Sequence, residues 1–333
     1  MKYIMGIEST AHTFGVAVLS YKDREIKILS NEKDSYSTKE GGMIPLEVRA
    51  HHKKYAPEVY KKALETADII ENQIEAIAFS NAPGLAPCLL EGMEFAKKLA
   101  KKLDVPLIPI NHCIAHLEIG EITGAKDPVL LYASGANTQI IAYESGKYRV
   151  FGETLDLGVG NFIDTFARFA GIGFPGGPKI QQLAEESKNK DKLIEIPYSV
   201  KGMDVSFSGI QTKLKNLLGK KIPLEDLSYS MQETIFAMLV EVSERALAHT
   251  GKNELLLGGG VACNTRLQEM CKIMCEERNA KFFCPENQFL LDNAAMIAYL
   301  GIKMFKAGHG TKNLNEIDIA PRQRTDDVEV NWR

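Results

Sequence analysis

The chain has 333 residues, 45% of them hydrophobic and 25% charged, with a formal net charge of −3. This balance is that of a globular chain with ample core, and the length suggests two domains. It argues against a membrane span, because no apolar run approaches the ~20 residues required. It also argues against a uniformly basic surface, so an RNA partner must meet a local basic patch or be held partly by another subunit. None of the six cysteines, Cys88, Cys113, Cys263, Cys271, Cys275 and Cys284, sits in a C-x-x-C pair. Zinc knuckles and thioredoxin-like chemistry are therefore disfavoured, and buried reduced thiols are expected.

The opening residues, Met1 to Glu8, read as a strand and not as a signal peptide, which points to the cytoplasm. Tyr3–Ile7 and Phe14–Ser20 read as strands around the polar turn Glu8-Ser-Thr-Ala-His-Thr13. A plain hairpin accounts for this pattern, although small hydroxyl residues in such a turn also leave N–H groups facing an anion. Glu25–Asn31 is a third strand, and Ser35–Met43 is a polar loop with Gly41-Gly42. Glu47–Glu71 looks helical, with Pro57 as a break or a fresh start. His51 and His52 are neighbours there and point to different sides, so they read as solvated or interdomain residues. Ile74–Ser80 is a strand, followed by a tight loop over Asn81–Pro87. Cys88–Leu103 is an amphipathic helix whose outer side carries Lys97, Lys98, Lys101 and Lys102, a solvated face by default.

Val105–Gly120 carries the strongest signal. An apolar run with Pro at its edges reads as a buried strand. Asn111 can cap a following helix. On that helix His112 and His116 stand four residues apart and share a face, with Cβ atoms about 5–6 Å apart. Both imidazoles can therefore grip one metal ion, given one or two more ligands. Alternation of strand and helix to this point indicates an α/β sheet with helical cover.

Residues near Ala125–Pro128 look like a domain boundary. Val129–Ala133, the turn Ser134-Gly-Ala-Asn-Thr138 and Gln139–Glu144 repeat the opening scheme of strand, small polar turn and strand. Tyr132 sits where strand meets turn, as a core aromatic or a cleft residue. Leu157-Gly-Val-Gly160 leads into Asn161–Gly171, where Asp164 and Arg168 are spaced to pair. Gly176-Gly177 and Pro178 open a helix with Gln181 on its first turn, and such a start is a natural anion site. Asp204–Gly209 is another small-residue turn, before the helix Ile210–Leu218, and Leu227–Thr250 is a long amphipathic helix. Glu254–Leu257, Gly258-Gly-Gly260 and the helix Cys263–Asn279 form a strand, glycine turn and helix that suit a nucleotide. Lys281–Cys284 is a strand. Asp292 opens the helix Asn293–Lys306, a position that a mere N-cap would also occupy.

These motifs, in this order, make the chain resemble the universal tRNA threonylcarbamoyladenosine synthesis family. Its bacterial members are the TsaD proteins, and its archaeal and eukaryotic members are the catalytic subunit of the KEOPS complex. The resemblance runs nearly end to end. It is carried by Gly6-Ile-Glu-Ser-Thr10, Ala82-Pro-Gly-Leu85, Asn111-His-Cys-Ile-Ala-His116, Tyr132-Ala-Ser-Gly-Ala-Asn-Thr-Gln139, Phe174-Pro-Gly-Gly-Pro178, Asp204-Val-Ser-Phe-Ser-Gly209, Gly258-Gly-Gly-Val-Ala-Cys-Asn264 and Asp292-Asn293. The tail from Arg324 to Arg333 looks like the archaeal and eukaryotic ending. Ala136 and Ala294 replace usual glycines, Leu90-Glu91 replaces a common Arg-Val, and Gln181 stands where an acidic residue is usual.

The resemblance implies the actin/heat-shock-70/sugar-kinase (ASKHA) superfold: two related α/β domains around a nucleotide and metal cleft. The expected limits are 1–127, 128–306 and a tail over 307–333 returning toward the first domain. It implies a metal held by His112, His116, Tyr132 and Asp292, with Fe2+ ahead of Zn2+; such a mixed N/O set suits either better than calcium. His112 and His116 would act in catalysis through that metal. Substrate contacts fall on Tyr132, Ala133, Ser134, Gly135, Ala136, Asp164, Gly177, Gln181 and Asn264. The implied reaction passes a threonylcarbamoyl group from threonylcarbamoyl-AMP to N6 of adenosine 37 in tRNAs reading ANN codons. ATP or AMP can occupy the same cleft. The implied partners are tRNA, a small atypical kinase/ATPase and small accessory subunits, with no membrane. Three other readings compete. A zincin requires H-E-x-x-H, but position 113 is Cys. A sugar-kinase-like ATPase uses a carboxylate and Mg2+ at the phosphates and not a histidine pair. A non-catalytic ATP-binding scaffold has no need of a complete metal set.

Overall fold

A computed structural model describes residues 1–39 and 42–333, so Gly41 of the expected Gly41-Gly42 loop lies outside the described residues. The first half is built from β1 (Lys2–Glu8), β2 (Thr13–Lys22), β3 (Glu25–Ser35), α1 (Pro45–Ala67), β4 (Ile74–Ala82), α2 (Ala86–Leu103), β5 (Leu107–Asn111) and α3 (His112–Glu118). The second contains β6 (Val129–Ala133), β7 (Thr138–Glu144), β8 (Lys147–Glu153), α4 (Val159–Phe169), α5 (Gly177–Glu186), the two-residue strands β9 (Val200–Lys201) and β10 (Asp204–Val205), and α6 (Ser208–Leu218). It continues with α7 (Leu224–Thr250), β11 (Glu254–Gly258), α8 (Thr265–Glu277), β12 (Lys281–Phe283), α9 (Asn287–Leu290) and α10 (Ala294–Lys306).

The two halves share one topology. The first sheet has the order β3-β2-β1-β4-β5, and the second reads β8-β7-β6-β11-β12 from the matching edge. In each, the first three strands form an antiparallel meander and the last two join in parallel. The expected pair of related α/β units is thus present, as strand order and direction.

Two helices bind the halves together: α3, directly after the fifth strand of the first sheet, and α10, which follows the short α9 after the fifth strand of the second. α10 lies on β1, β2 and β4 of the first sheet, while α3 touches both sheets and also packs on α10. Their buried residues form one cluster with Ile4, Ala17 and Ile108 from the first sheet and Leu130, Tyr132 and Leu256 from the second. Small residues permit the close approach. A Cβ on Gly6 would stand 2.7 Å from the backbone nitrogen of Ala298 in α10. Among the described residues no helix is long and apolar enough to cross a membrane.

Three local expectations change. α1 runs unbroken through Pro57, because Val48, His52, Ala56, Val59 and Ala63 bury one continuous face; that burial outweighs the ~3 kcal/mol a mid-helix proline costs. His52 is buried and not solvated: its Nε2 lies 2.9 Å from the carbonyl of Ala11, tying α1 to the first turn. His51 Nε2 meets Asp34 at 2.7 Å. The helix expected from Cys263 starts at Thr265, since Asn264 is its cap and a short 3₁₀ turn covers Gly260–Cys263.

Beyond α10 the chain runs back along the first sheet. Thr311 bridges Leu107, and the N–H of Ala320 reaches Asn81 O at 2.9 Å. Arg333 donates to buried Glu118 at 2.9 Å, alongside Lys303 and Tyr148 on the same carboxylate.

Gly6→Ala forces apart β1 and α10 and is expected to destabilise the protein by about 2 kcal/mol or more; the midpoint of denaturant unfolding reads this directly. Asp156 accepts the N–H of Phe207 (2.9 Å) and the N–H (3.0 Å) and hydroxyl (2.7 Å) of Ser208 at the start of α6. Partial burial acts to raise its pKa, but the Ser208 hydroxyl and these N–H groups outweigh it, so the carboxyl titrates below its ordinary range. A depressed folded pKa stabilises above the unfolded value of about 3.9 and loses that stabilisation as the pH falls further. Asp156→Asn should therefore lower the unfolding midpoint at pH 7, and its difference from the parent should shrink on acidification below about pH 4.

Candidate functional site

Asn111 ends β5 and caps α3: its side-chain oxygen accepts the N–H groups of Cys113 (3.1 Å) and Ile114 (3.2 Å). The cap fixes the first turn, and with it His112 and His116 one turn apart, ring centroids 4.7 Å apart. At the other end of the chain, Asn293 and not Asp292 caps α10, accepting the N–H of Met296 at 3.0 Å. Asp292 is thereby left outside the helix, with Oδ1 3.3 Å from His112 Nε2 and 3.8 Å from His116 Nε2. One ligand atom from each of these three residues lies within 4.8 Å of the others. Tyr132, almost wholly buried at the end of β6, tilts its ring against His116 with centroids 4.9 Å apart. All four expected metal-binding residues thus meet at one place.

Glu8 completes the cluster, although its position in the sequence does not single it out. Fully buried at the end of β1, it lies 2.9 Å from His112 Nδ1 and accepts the N–H (2.7 Å) and hydroxyl (2.5 Å) of Thr10. A carboxylate on Nδ1 fixes the ring and turns Nε2 toward Asp292. The signal for Glu8 is an acidic residue at the last position of an apolar strand, but a solvated hairpin turn explains the same letter.

Burial disfavours the imidazolium at His112, yet Glu8 and Asp292 on its two sides outweigh burial and lift its pKa well above the ordinary value. Burial lowers that of His116. Burial also acts against the Asp292 carboxylate, but the two imidazoles hold it well below the usual range. Burial pushes the Tyr132 phenol well up and the Cys113 thiol up to about 11. Neither ring nitrogen of His116 has a hydrogen-bond partner among the described residues. An orphaned, buried imidazole beside an anionic carboxylate and a second imidazole fits a cation at that point.

The remaining expected residues fall at the end of β6 and the turn after it, on α4 and α5, and at the cap of α8. Ser134 closes the second turn through Asn137, while Gly135 and Ala136 are exposed at its tip. Ala136 and Ala294 have no positive φ, so alanine is accommodated at both. Asp164 does not pair with Arg168; its carboxylate accepts the N–H of Gly176 at 2.8 Å, ahead of Gly177 at the start of α5. Burial raises its pKa against that hydrogen bond. His12, from the first turn, is close enough to act on the titration of both Asp164 and Asp292. Gln181 crosses to the hydroxyl of Thr265 at 3.0 Å. Asn264 uses its oxygen as the α8 cap and its amide on Gln232 at 2.8 Å, so it shapes the wall. Beside them is a hollow of about 320 Å³ lined by Tyr229, Gln232, Glu233, Thr265 and Arg266 among others. Tyr229 and Arg266 carry no motif that would single them out in the sequence.

The profile of the TsaD family, described as tRNA N6-adenosine threonylcarbamoyltransferase, matches residues 27–299. A Thermococcus sibiricus protein named tRNA N6-adenosine threonylcarbamoyltransferase is 51% identical over 98% of this chain and 99% of its own length. A Methanosarcina mazei protein named probable bifunctional tRNA threonylcarbamoyladenosine biosynthesis protein is 52% identical over 99% of this chain, which spans 59% of that relative. Among solved structures, full-length HypF in its phosphate- and nucleotide-bound form aligns over 92% of this chain and 56% of its own, at TM-score 0.63 and 12% identity. The activator of 2-hydroxyisocaproyl-CoA dehydratase from Clostridium difficile with bound ADPNP aligns over 93% and 98%, at TM-score 0.54 and 12% identity. At that identity the two structures speak for the fold alone.

Because Glu8 holds His112, Glu8→Gln should weaken binding of a divalent transition metal by about tenfold or more. Titration against a competing chelator gives the affinity, and an unchanged value would leave Glu8 a purely structural carboxylate.

Proposed function

The chain belongs to the TsaD family of tRNA N6-adenosine threonylcarbamoyltransferases, and from that membership we propose that it passes a threonylcarbamoyl group from threonylcarbamoyl-AMP to N6 of adenosine 37 in tRNAs reading ANN codons. The observation that carries this reading is the buried His112–His116–Asp292 cluster, backed by Glu8, where the two halves meet.

The adenosine amine attacks the carbamoyl carbon. The C–O bond to phosphate breaks, AMP leaves with the electron pair, and the amine gives up one proton. An exocyclic amine is a weak nucleophile, so the protein's task is alignment and stabilisation of the departing charge. His112, His116, Tyr132 and Asp292 would hold one divalent transition metal, Fe2+ ahead of Zn2+, and its Lewis acidity would polarise the carbamoyl carbonyl and orient the threonyl group. The buried cluster keeps Glu8 on the far side of His112 and excludes water from both imidazoles. The exposed backbone of Gly135 and Ala136 would receive the phosphate, together with the start of α5 at Gly177. Asp164 and Gln181 would face ribose or base, Ala133 and Ser134 would shape the turn, and Asn264 would fix the wall behind the nucleotide. ATP or AMP would use the same hollow.

A net charge of −3 supports tRNA binding shared with other subunits. The bifunctional name and greater length of the Methanosarcina relative support a second activity working beside this one. We assign that role to a small atypical kinase/ATPase and place the chain as the catalytic subunit of a KEOPS-type complex with small accessory subunits. Six free thiols suit a reducing compartment, the cytoplasm.

The test supplies synthetic threonylcarbamoyl-AMP and unmodified tRNA to the metal-loaded chain, with and without its partner subunits. Digested tRNA is then analysed by mass spectrometry. Threonylcarbamoyladenosine should form, and His112→Ala should reduce it at least ~100-fold while the fold survives. No product from folded, metal-loaded protein with all partners would favour the scaffold reading.

A further inference from the structure

Lys33 is a cation near the start of α10 that the proposed reaction leaves without a role. It lies on β3 opposite Gly15 of β2. Strand alternation puts it on the same sheet face as Asn31, whose side-chain oxygen accepts the N–H of Ala295 at 3.2 Å. Gly15 faces the same way, since a Cβ there would lie 3.4 Å from Ala294. This face therefore looks onto the start of α10, immediately after Asp292. The 3₁₀ turn Gly260–Cys263 approaches from the second half and leads into Asn264. The ammonium is within electrostatic reach of both Asp292 and Cys263.

Its surroundings are unusual for a lysine. It is half-buried, and among the described residues no carboxylate lies within 4.0 Å of its Nζ. Loss of water pulls its pKa down, and Asp292 and Cys263 only partly oppose that. Holding an unpaired ammonium out of water is costly unless an anion arrives to pair with it.

We propose that Lys33 binds the α-carboxylate of the threonyl group and so selects a carbamoyl donor derived from an amino acid. This rests on the donor assigned under Proposed function. That donor carries two anions. The phosphate falls to the Gly135–Ala136 turn and the start of α5, both in the second half. The carboxylate must then be met near the metal residues, where Glu8 and Asp164 would repel it wherever the metal's own charge does not reach it. Lys33 is an ammonium within electrostatic reach of Asp292, and it comes from the first half. It is a specificity residue for the donor, separate from the groups that touch AMP.

The test measures binding by calorimetry on the metal-loaded chain, with no tRNA present. Three probes are used: a non-cleavable threonylcarbamoyl-AMP analogue, the same analogue with the carboxylate replaced by hydrogen, and AMP. The parent should prefer the first over the second by about tenfold to a hundredfold. Lys33→Met and Lys33→Gln should bind the two alike, Lys33→Arg should keep part of the preference, and AMP affinity should stay constant throughout. Thermal melts verify the fold of each variant. Equal discrimination by Lys33→Met and the parent overturns the proposal. So does a parent that binds both analogues equally. A matching fall in AMP affinity would reassign Lys33 to the phosphate and overturn it too. Carboxylate-dependent binding without transfer to tRNA would sink the proposed reaction while still supporting the role of Lys33.

Discussion

Two imidazoles on one helical turn, with a carboxylate on either side, set the terms for the rest of the molecule. Glu8 and Asp292 lie 284 positions apart in the numbering, yet both come within 3.3 Å of His112. Bringing buried charges together is costly unless each is paired and held. The fold supplies that restraint through two asparagine caps. Asn111 starts α3 where the histidines need it, and Asn293 starts α10 so that Asp292 stays outside the helix. Shifting either helix start by one residue would rotate a member of the cluster away by about 100°.

The close-packed seam between α3 and α10 performs a second task. It joins the two sheets through one apolar cluster, so the histidine helix is anchored from both halves. Glycines at the tight points, such as Gly6 under α10, let backbone meet backbone. The histidines, Glu8 and Tyr132 are consequently held on regular elements, with Asp292 on the bend just before α10, which suits a reaction that depends on alignment.

Much of this is legible in the letters. The histidine spacing, the Asn111 cap, the recurring strand–turn–strand scheme and the glycine turn each carry a local signal, and local signals survive without tertiary information. What stays hidden is set by distant partners. Glu8 looks like a turn residue until His112 arrives from more than a hundred residues away. Asp292 and Asn293 are equally good caps on paper, and only burial of Asn293 decides between them. Asn264 is also more than its motif tells: its hydrogen bonds cap α8 and reach Gln232, a partner 32 positions away. Pro57 and His52 mislead for the same reason: propensity and polarity give way to a buried face on the first sheet.

The matching strand order of the two halves has a consequence for direction. Equivalent points of the two units surround the cleft: the ends of β1 and β6, and the exits of β5 and β12. A true twofold assembly of identical units would offer a ligand the same groups from both sides, and nothing would tell one end of it from the other. Here the corresponding positions have diverged. Imidazoles follow one fifth strand and a carboxylate follows the other, and a carboxylate ends one first strand while a phenol stands near the end of its counterpart. The cleft thereby acquires a head and a tail, and an asymmetric molecule can enter it in one orientation only.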